Sequence, residues 1–214
     1  MSAPIAIDIV SDVVCPWCYV GKKRLEAALR MLPEQSFAIF WRPFQLDPTI
    51  PKEGMPRKTY LERKFGSPER LAQMHAPLIE IGKAEGIPFA FDKITRSPNT
   101  LDAHRLIRWA HEAGKQDEMV SRLYALYFTE GADIGKPEVL VKAATDVGLD
   151  GALVTQLLAN GADLDPVIAE INGAGKMGIT GVPTFIFASR FAISGAHPAE
   201  TIKKAIEQTA LTAR

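Results

Sequence analysis

Apolar and polar positions change their spacing along the chain, and the changes mark its elements. Ile5, Ile7 and Ile9 alternate with Ala6, Asp8 and Val10, which predicts a strand with one strongly apolar face. From residue 16 to about residue 32 the spacing becomes helical, and Pro33 ends it. Residues 37–42 read as a second strand stopped by Pro43. A helix of that length between two strands fits a parallel crossover. Residues 47–57 carry Pro48, Pro51, Gly54 and Pro56 and read as a linker. Helical patterns then dominate residues 58–175. One begins at Pro68 with Leu71, Met74, Leu78 and Ile81, and another runs from Leu101, capped by Asn99 or Thr100, to Gly114. Later ones end at Gly131, Gly148 and Gly161, and a last one starts near Pro166. Prolines at starts and glycines at stops follow the asymmetry of helix ends. Strand spacing returns in residues 184–188 and 191–194, which form a hairpin around Ser189-Arg190, and Pro198 opens a final helix bearing Ile202 and Ile206. The prediction is an α/β protein: residues 1–46 and 178–214 are two parts of one sheet domain, and residues 47–177 are an all-helical insertion.

Composition narrows the function. Among 214 residues, 25 Lys and Arg balance 25 Asp and Glu, giving no net charge. That speaks against nucleic acid or a membrane surface as a partner, since both call for a basic excess. No apolar run is long enough to span a bilayer. Residues 1–8 lack a basic region and a cleavage site and read as strand rather than signal peptide, so the expected compartment is cytoplasmic.

The two cysteines, Cys15 and Cys18, stand two residues apart where the first strand hands over to the first helix. The first amides of a helix lack internal partners and carry the positive end of its dipole, so a thiolate at Cys15 is stabilised there. Pro16 suits the first helical position. Cys18 falls one turn on, within disulfide reach. Three other readings compete. Structural zinc needs four ligands, but there is no second cysteine pair, and His75, His104, His111 and His197 lack ligand spacing; no metal is expected. A static disulfide would close too short a loop to stabilise much. Two inert buried thiols are the bland alternative. A redox dithiol fits best.

Cys15-Pro16-Trp17-Cys18 together with Thr180-Gly181-Val182-Pro183-Thr184-Phe185, with helices between, resembles the DsbA family of thioredoxin-fold oxidoreductases. More narrowly it resembles the FrnE-like branch, related to 2-hydroxychromene-2-carboxylate isomerase and kappa-class glutathione transferases. Residues 11–18, 99–105 and 193–198 support the resemblance. It implies a thioredoxin fold with a helical insertion, a cis Pro183 facing the cysteines, and a Val182 backbone free to pair with an extended substrate. It implies catalytic Cys15 and Cys18, with Pro16, Trp17, Val182, Pro183 and His197 at the substrate. The related isomerases and transferases carry Ser at the position of Cys15; a lone Ser cannot exchange electrons with a disulfide, so thiol–disulfide chemistry ranks above isomerisation. The expected partner is a disulfide- or thiol-containing protein or a glutathione-like small thiol. The only cofactor is the redox-active disulfide itself, with glutathione a candidate co-substrate. A glutathione-dependent isomerase or transferase is the alternative, and both monomer and homodimer stay open.

Other residues draw weaker expectations. Trp17 stacks on substrate or tunes the thiols. Asn99 and His104 pack or cap, and His197 lies in a loop. Asp8 or Asp12 could relay protons to Cys18, although Asp12 suits a turn. Lys22, Lys23 and Arg24 read as a solvated face, and Phe40, Trp41 and Phe44 as core.

Overall fold

The structure, a computed structural model, describes residues 4–211. In chain order the main elements are β1 (Ile5–Ser11), α1 (Pro16–Arg30), β2 (Phe37–Pro43), β3 (Met55–Pro56), α2 (Arg57–Phe65), α3 (Pro68–Ala84), β4 (Arg96–Ser97), α4 (Leu101–Glu112), α5 (Gln116–Ala125), α6 (Pro137–Asp146), α7 (Gly151–Ala159), α8 (Leu164–Lys176), β5 (Thr184–Phe187), β6 (Phe191–Ser194) and α9 (Ala199–Leu211). A single π-type turn, Leu126–Glu130, extends α5.

One four-stranded sheet has the order β2-β1-β5-β6. β1 pairs in parallel with β2, from Ile5 opposite Phe37 to Ser11 opposite Pro43. It pairs antiparallel with β5, from Ile7 opposite Phe187 to Val10 opposite Thr184. β1 is thus an inner strand, which explains why Ile7, Ile9 and Val10 are all buried, although alternation alone assigned one apolar face. α1 packs beside α9. This is a thioredoxin-type α/β fold, and the chain leaves the sheet after β2 and returns at β5 through helices.

Two polar devices seat the helices on the sheet. β2 is an edge strand, and the Gln116 side chain covers it: its amide oxygen accepts from the Trp41 N–H at 3.0 Å and its amide nitrogen donates to the Trp41 carbonyl at 3.2 Å. Lys22 is only 2% exposed, and its ammonium lies 2.7 Å from both Glu26 Oε1 and Asp117 Oδ2. The expectation of a solvated face is therefore corrected at Lys22. Residues 22, 23 and 24 point about 100° apart around a helix, so one of the three faces α5. Burial alone would raise the Glu26 carboxyl, but the Lys22 hydrogen bond and the charges of Lys22 and Lys23 together hold it low.

Three boundaries differ from the pattern. α1 ends at Arg30, because the Met31 and Leu32 amides turn back to the carbonyls of Ala28 and Leu29 ahead of Pro33. β5 stops at Phe187, because Ala188 and Ser189 take left-handed conformations (φ 48° and 54°) and belong to the turn. The expected linker holds β3, which pairs with β4, and leads directly into α2.

Candidate active site

Cys15 is the N-cap of α1, with extended backbone, and Pro16 follows at the first helical position. The Cys15 amide donates to the Asp12 carbonyl at 3.0 Å, closing the turn that delivers the chain from β1 into the helix. The Val182–Pro183 peptide bond is cis. The Cys15 thiol donates to the Val182 carbonyl across a 3.7 Å contact. So residues 167 positions apart meet at the helix mouth. Pro183 packs on Gly21 one and a half turns below; a Cβ added there would lie 2.9 Å from Pro183 Cγ. Glycine at this position allows the close approach.

Cys18 lies beneath Cys15. Both are free thiols, exposed by 4% at Cys15 and 1% at Cys18, and the Cys18 amide donates to the Cys15 carbonyl at 3.1 Å. Burial pushes the Cys18 thiol well above its ordinary range. The Cys15 thiol and the Asp12 carboxylate push the same way, against the Asp12 backbone amide. A neutral, nucleophile-poor Cys18 therefore waits under the more accessible sulfur. Trp17, 40% exposed, stands at the rim. Tyr19 stacks on buried Tyr124 at 4.9 Å, making a floor of aromatic rings with Phe128.

Asp12 is 1% exposed. Its Oδ2 accepts from the Leu46 amide at 2.8 Å, and its Oδ1 makes no hydrogen bond among the described residues. His104 lies 3.4 Å from that oxygen and gives its Nε2–H to the Phe44 carbonyl at 2.9 Å. Asp12 does hold the turn, but it is also a buried carboxylate beside the dithiol. His104 joins the loops after β1 and β2. Asn99 caps α4, its Oδ1 accepting from the Leu101 amide at 3.0 Å. Trp41 is buried; Phe40 and Phe44 are only partly so.

Cys15, Pro16, Trp17 and Val182 line one cavity of about 320 Å³ whose far wall is α2 and α3. His197 does not line it; its Nε2 is 2.9 Å from the Ser194 carbonyl. Asp8 pairs with Arg42 at 2.7 Å, away from the thiols. Sequence reasoning put Leu71, Met74 and Leu78 on the Pro68 helix but did not bring that helix to the site, and Arg57, Lys64, His75 and Phe91 carry no motif. No group of His, Cys, Asp and Glu able to hold a metal occurs among the described residues.

A thioredoxin-type sheet with two free thiols at the mouth of its first helix, a proline loop opposite and a helical insertion defines the class as thioredoxin-like. Residues 6–207 match the DSBA-like thioredoxin domain family, and the chain belongs to it. The probable DsbA oxidoreductase SCO1869 from Streptomyces coelicolor is 34% identical with a TM-score of 0.88, covering 96% of this chain and 90% of its own. The uncharacterized protein YwbO of Bacillus subtilis is 29% identical over 203 residues, which are 94% of this chain and 96% of YwbO. The cytosolic disulfide reductase DsbM from Pseudomonas aeruginosa, solved with GSH, shares the fold at 18% identity and a TM-score of 0.64, with 97% of each chain covered.

Proposed function

We propose that this chain is a thiol–disulfide oxidoreductase acting through the Cys15–Cys18 dithiol on protein disulfides or small disulfides. One observation carries the reading: two free thiols in the first turn of one helix, the outer one at its N-cap 3.7 Å from the Val182 carbonyl. Starting reduced, the Cys15 thiolate attacks one sulfur of the substrate disulfide. That S–S bond breaks, the first substrate thiol leaves with a proton, and Cys15 holds the other half as a mixed disulfide. Cys18 then gives up its proton, with the Asp12 carboxylate beside it as acceptor, and attacks the Cys15 sulfur. The second substrate thiol leaves and a Cys15–Cys18 disulfide remains. Two electrons and two protons have passed to the substrate. Run backwards from the disulfide, the same steps oxidise a substrate dithiol.

The Val182 backbone beside Cys15 supports pairing with an extended substrate, Pro183 holds that loop against α1, and Pro16 and Trp17 shape the approach to the sulfur. Glutathione is the proposed co-substrate that resets the dithiol, in keeping with the GSH in the DsbM structure. The proposed compartment is cytoplasmic. Among the described residues no helix is long and apolar enough to cross a membrane. Insulin reduction tests the reading. Cys15→Ser abolishes it, and Cys18→Ser accumulates mixed disulfides at Cys15. Full activity in Cys15→Ser removes the proposal.

A further inference from the structure

The cavity beside Cys15 has a chemistry of its own. Its walls are apolar, with Leu46, Ile50, Leu61, Phe65, Leu71 and Leu78 among them, and Cys15 and Trp17 close one side. Among the described residues no Asp or Glu lines it, whereas two cations do, Arg57 and Lys64. Each gives its hydrogen bond to a neutral group: Arg57 Nη1 to the Tyr127 hydroxyl at 2.8 Å, and Lys64 Nζ to the Tyr60 hydroxyl at 2.7 Å. A guanidinium cannot shed its charge, so a half-buried Arg57 facing an apolar chamber is short of an anion. Ser97 adds a second sign: it lines the chamber, is 2% exposed, and its hydroxyl has no hydrogen-bond partner. A buried polar group without a partner calls for one.

We infer that this cavity is a subsite for a small disulfide or thiol with an apolar body and a carboxylate: the sulfur meets Cys15, the body fills the chamber, and the carboxylate is held by Arg57 and Lys64. This deepens the oxidoreductase reading and rests on it for the sulfur. The volume, about 320 Å³, lies at the low end for small-molecule sites and suits one aryl or short alkyl arm. His75 bounds the chamber, stacked on Phe91 at 4.2 Å. Burial and the Arg57 charge lower its pKa, leaving it neutral and able to hydrogen-bond near neutral pH. An adjoining cavity of about 670 Å³ shares Arg57, Leu61, Leu71, His75 and Phe91 and is lined by two acids, Glu62 and Asp92. The thiol side is thus the cationic side. Reduction follows the balanced exchange given above, with the dithiol as electron donor.

The test uses sulfur-free probes, so that binding is read apart from thiol chemistry. 4-Phenylbutyrate and its neutral counterpart 4-phenylbutan-1-ol are titrated into the full chain, followed by calorimetry and Trp17 fluorescence. The carboxylate is expected to bind about 10-fold tighter or more, as a charge-assisted contact requires. Arg57→Met brings the two probes together, Arg57→Lys restores part of the gap, and Leu71→Trp weakens both. If Arg57→Met does not fold, Lys64→Met, at an exposed rim position, narrows the gap instead. Cys15→Ser keeps the binding. Loss of insulin reduction with retained carboxylate binding supports both readings; unchanged insulin reduction in Cys15→Ser sinks the oxidoreductase alone. Equal affinity of the two probes for the unaltered protein overturns the subsite.

Discussion

Replacing Gly21 by Ala sets helix propensity against packing, and the structure decides which wins. Gly21 lies inside α1, where Ala favours a helix by about 1 kcal/mol. The added Cβ would meet Pro183 Cγ at 2.9 Å and Phe185 Cζ at 3.1 Å, against an ordinary carbon contact of about 3.5–4.0 Å. A proline ring cannot rotate aside, so the loop or the helix must shift by roughly half an ångström or more, at an overpacking cost of about 1–3 kcal/mol. The net expectation is a change from about zero to 2 kcal/mol of lost stability, where propensity alone would give a gain. The shift also moves Val182, whose carbonyl sits 3.7 Å from the Cys15 thiol. Misplacement of that order lowers insulin reduction by roughly 10-fold, within the ~10²-fold known for a 1 Å error. Gly175 is the control: it lies in α8, its Cβ would meet nothing within 4 Å, and Gly175→Ala should stabilise by roughly 0.5–1 kcal/mol. Urea unfolding gives the stabilities and insulin turbidity the rates. If Gly21→Ala gains about 1 kcal/mol and keeps full activity, the Gly21–Pro183 contact does not position the loop.

Four further outcomes follow from buried polar groups. Burial raises the Tyr127 hydroxyl from 10.0 to about 12, which favours the fold while the group stays protonated. That contribution, about 2.7 kcal/mol, is complete below pH 10 and lost as pH climbs toward 12, so urea midpoints should fall over that window and fall less steeply in Tyr127→Phe. Cys18, raised the same way from an ordinary 9.0, starts its own loss one unit lower, and Cys18→Ala should remove that earlier limb. Asp117→Asn leaves the buried Lys22 ammonium with one carboxylate instead of two, and should cost about 1.5–3 kcal/mol by denaturation, whereas an unchanged midpoint means that solvent already screens the pair. Asp12→Asn should slow the decay of the Cys15 mixed disulfide by about 10²-fold, read by quenched mass spectrometry, if the carboxylate takes the Cys18 proton; equal decay rates count against that role.

Much of the frame was readable because its signals are local. Ile5, Ile7 and Ile9 alternate, Pro16 opens α1, Pro43 closes β2, and glycines follow the inserted helices. The Cys15–Cys18 spacing and the Thr180–Phe185 stretch brought both sides of the site into view. What stayed hidden depends on partners far along the chain. Lys22 is buried because Asp117 lies 95 positions on, and Asp12 because Leu46 and His104 close over it. α2 fell within the stretch read as helical but was not marked off as an element, because none of its residues is buried and its N-cap, Pro56, offers no side-chain bond. With it went the cationic wall of the cavity. His197 follows the hairpin as expected, but the ring turns back to Ser194, a local choice that no spacing encodes.

Equilibration of the protein with graded ratios of reduced to oxidised glutathione, followed by alkylation and mass measurement, tests the dithiol directly. Cys15 and Cys18 should leave the alkylated pool together in one two-electron transition, ending in a species two hydrogens lighter with an intramolecular disulfide. Two thiols that remain alkylatable at every ratio, or a lone glutathione adduct that never resolves, would contradict thiol–disulfide exchange at this site.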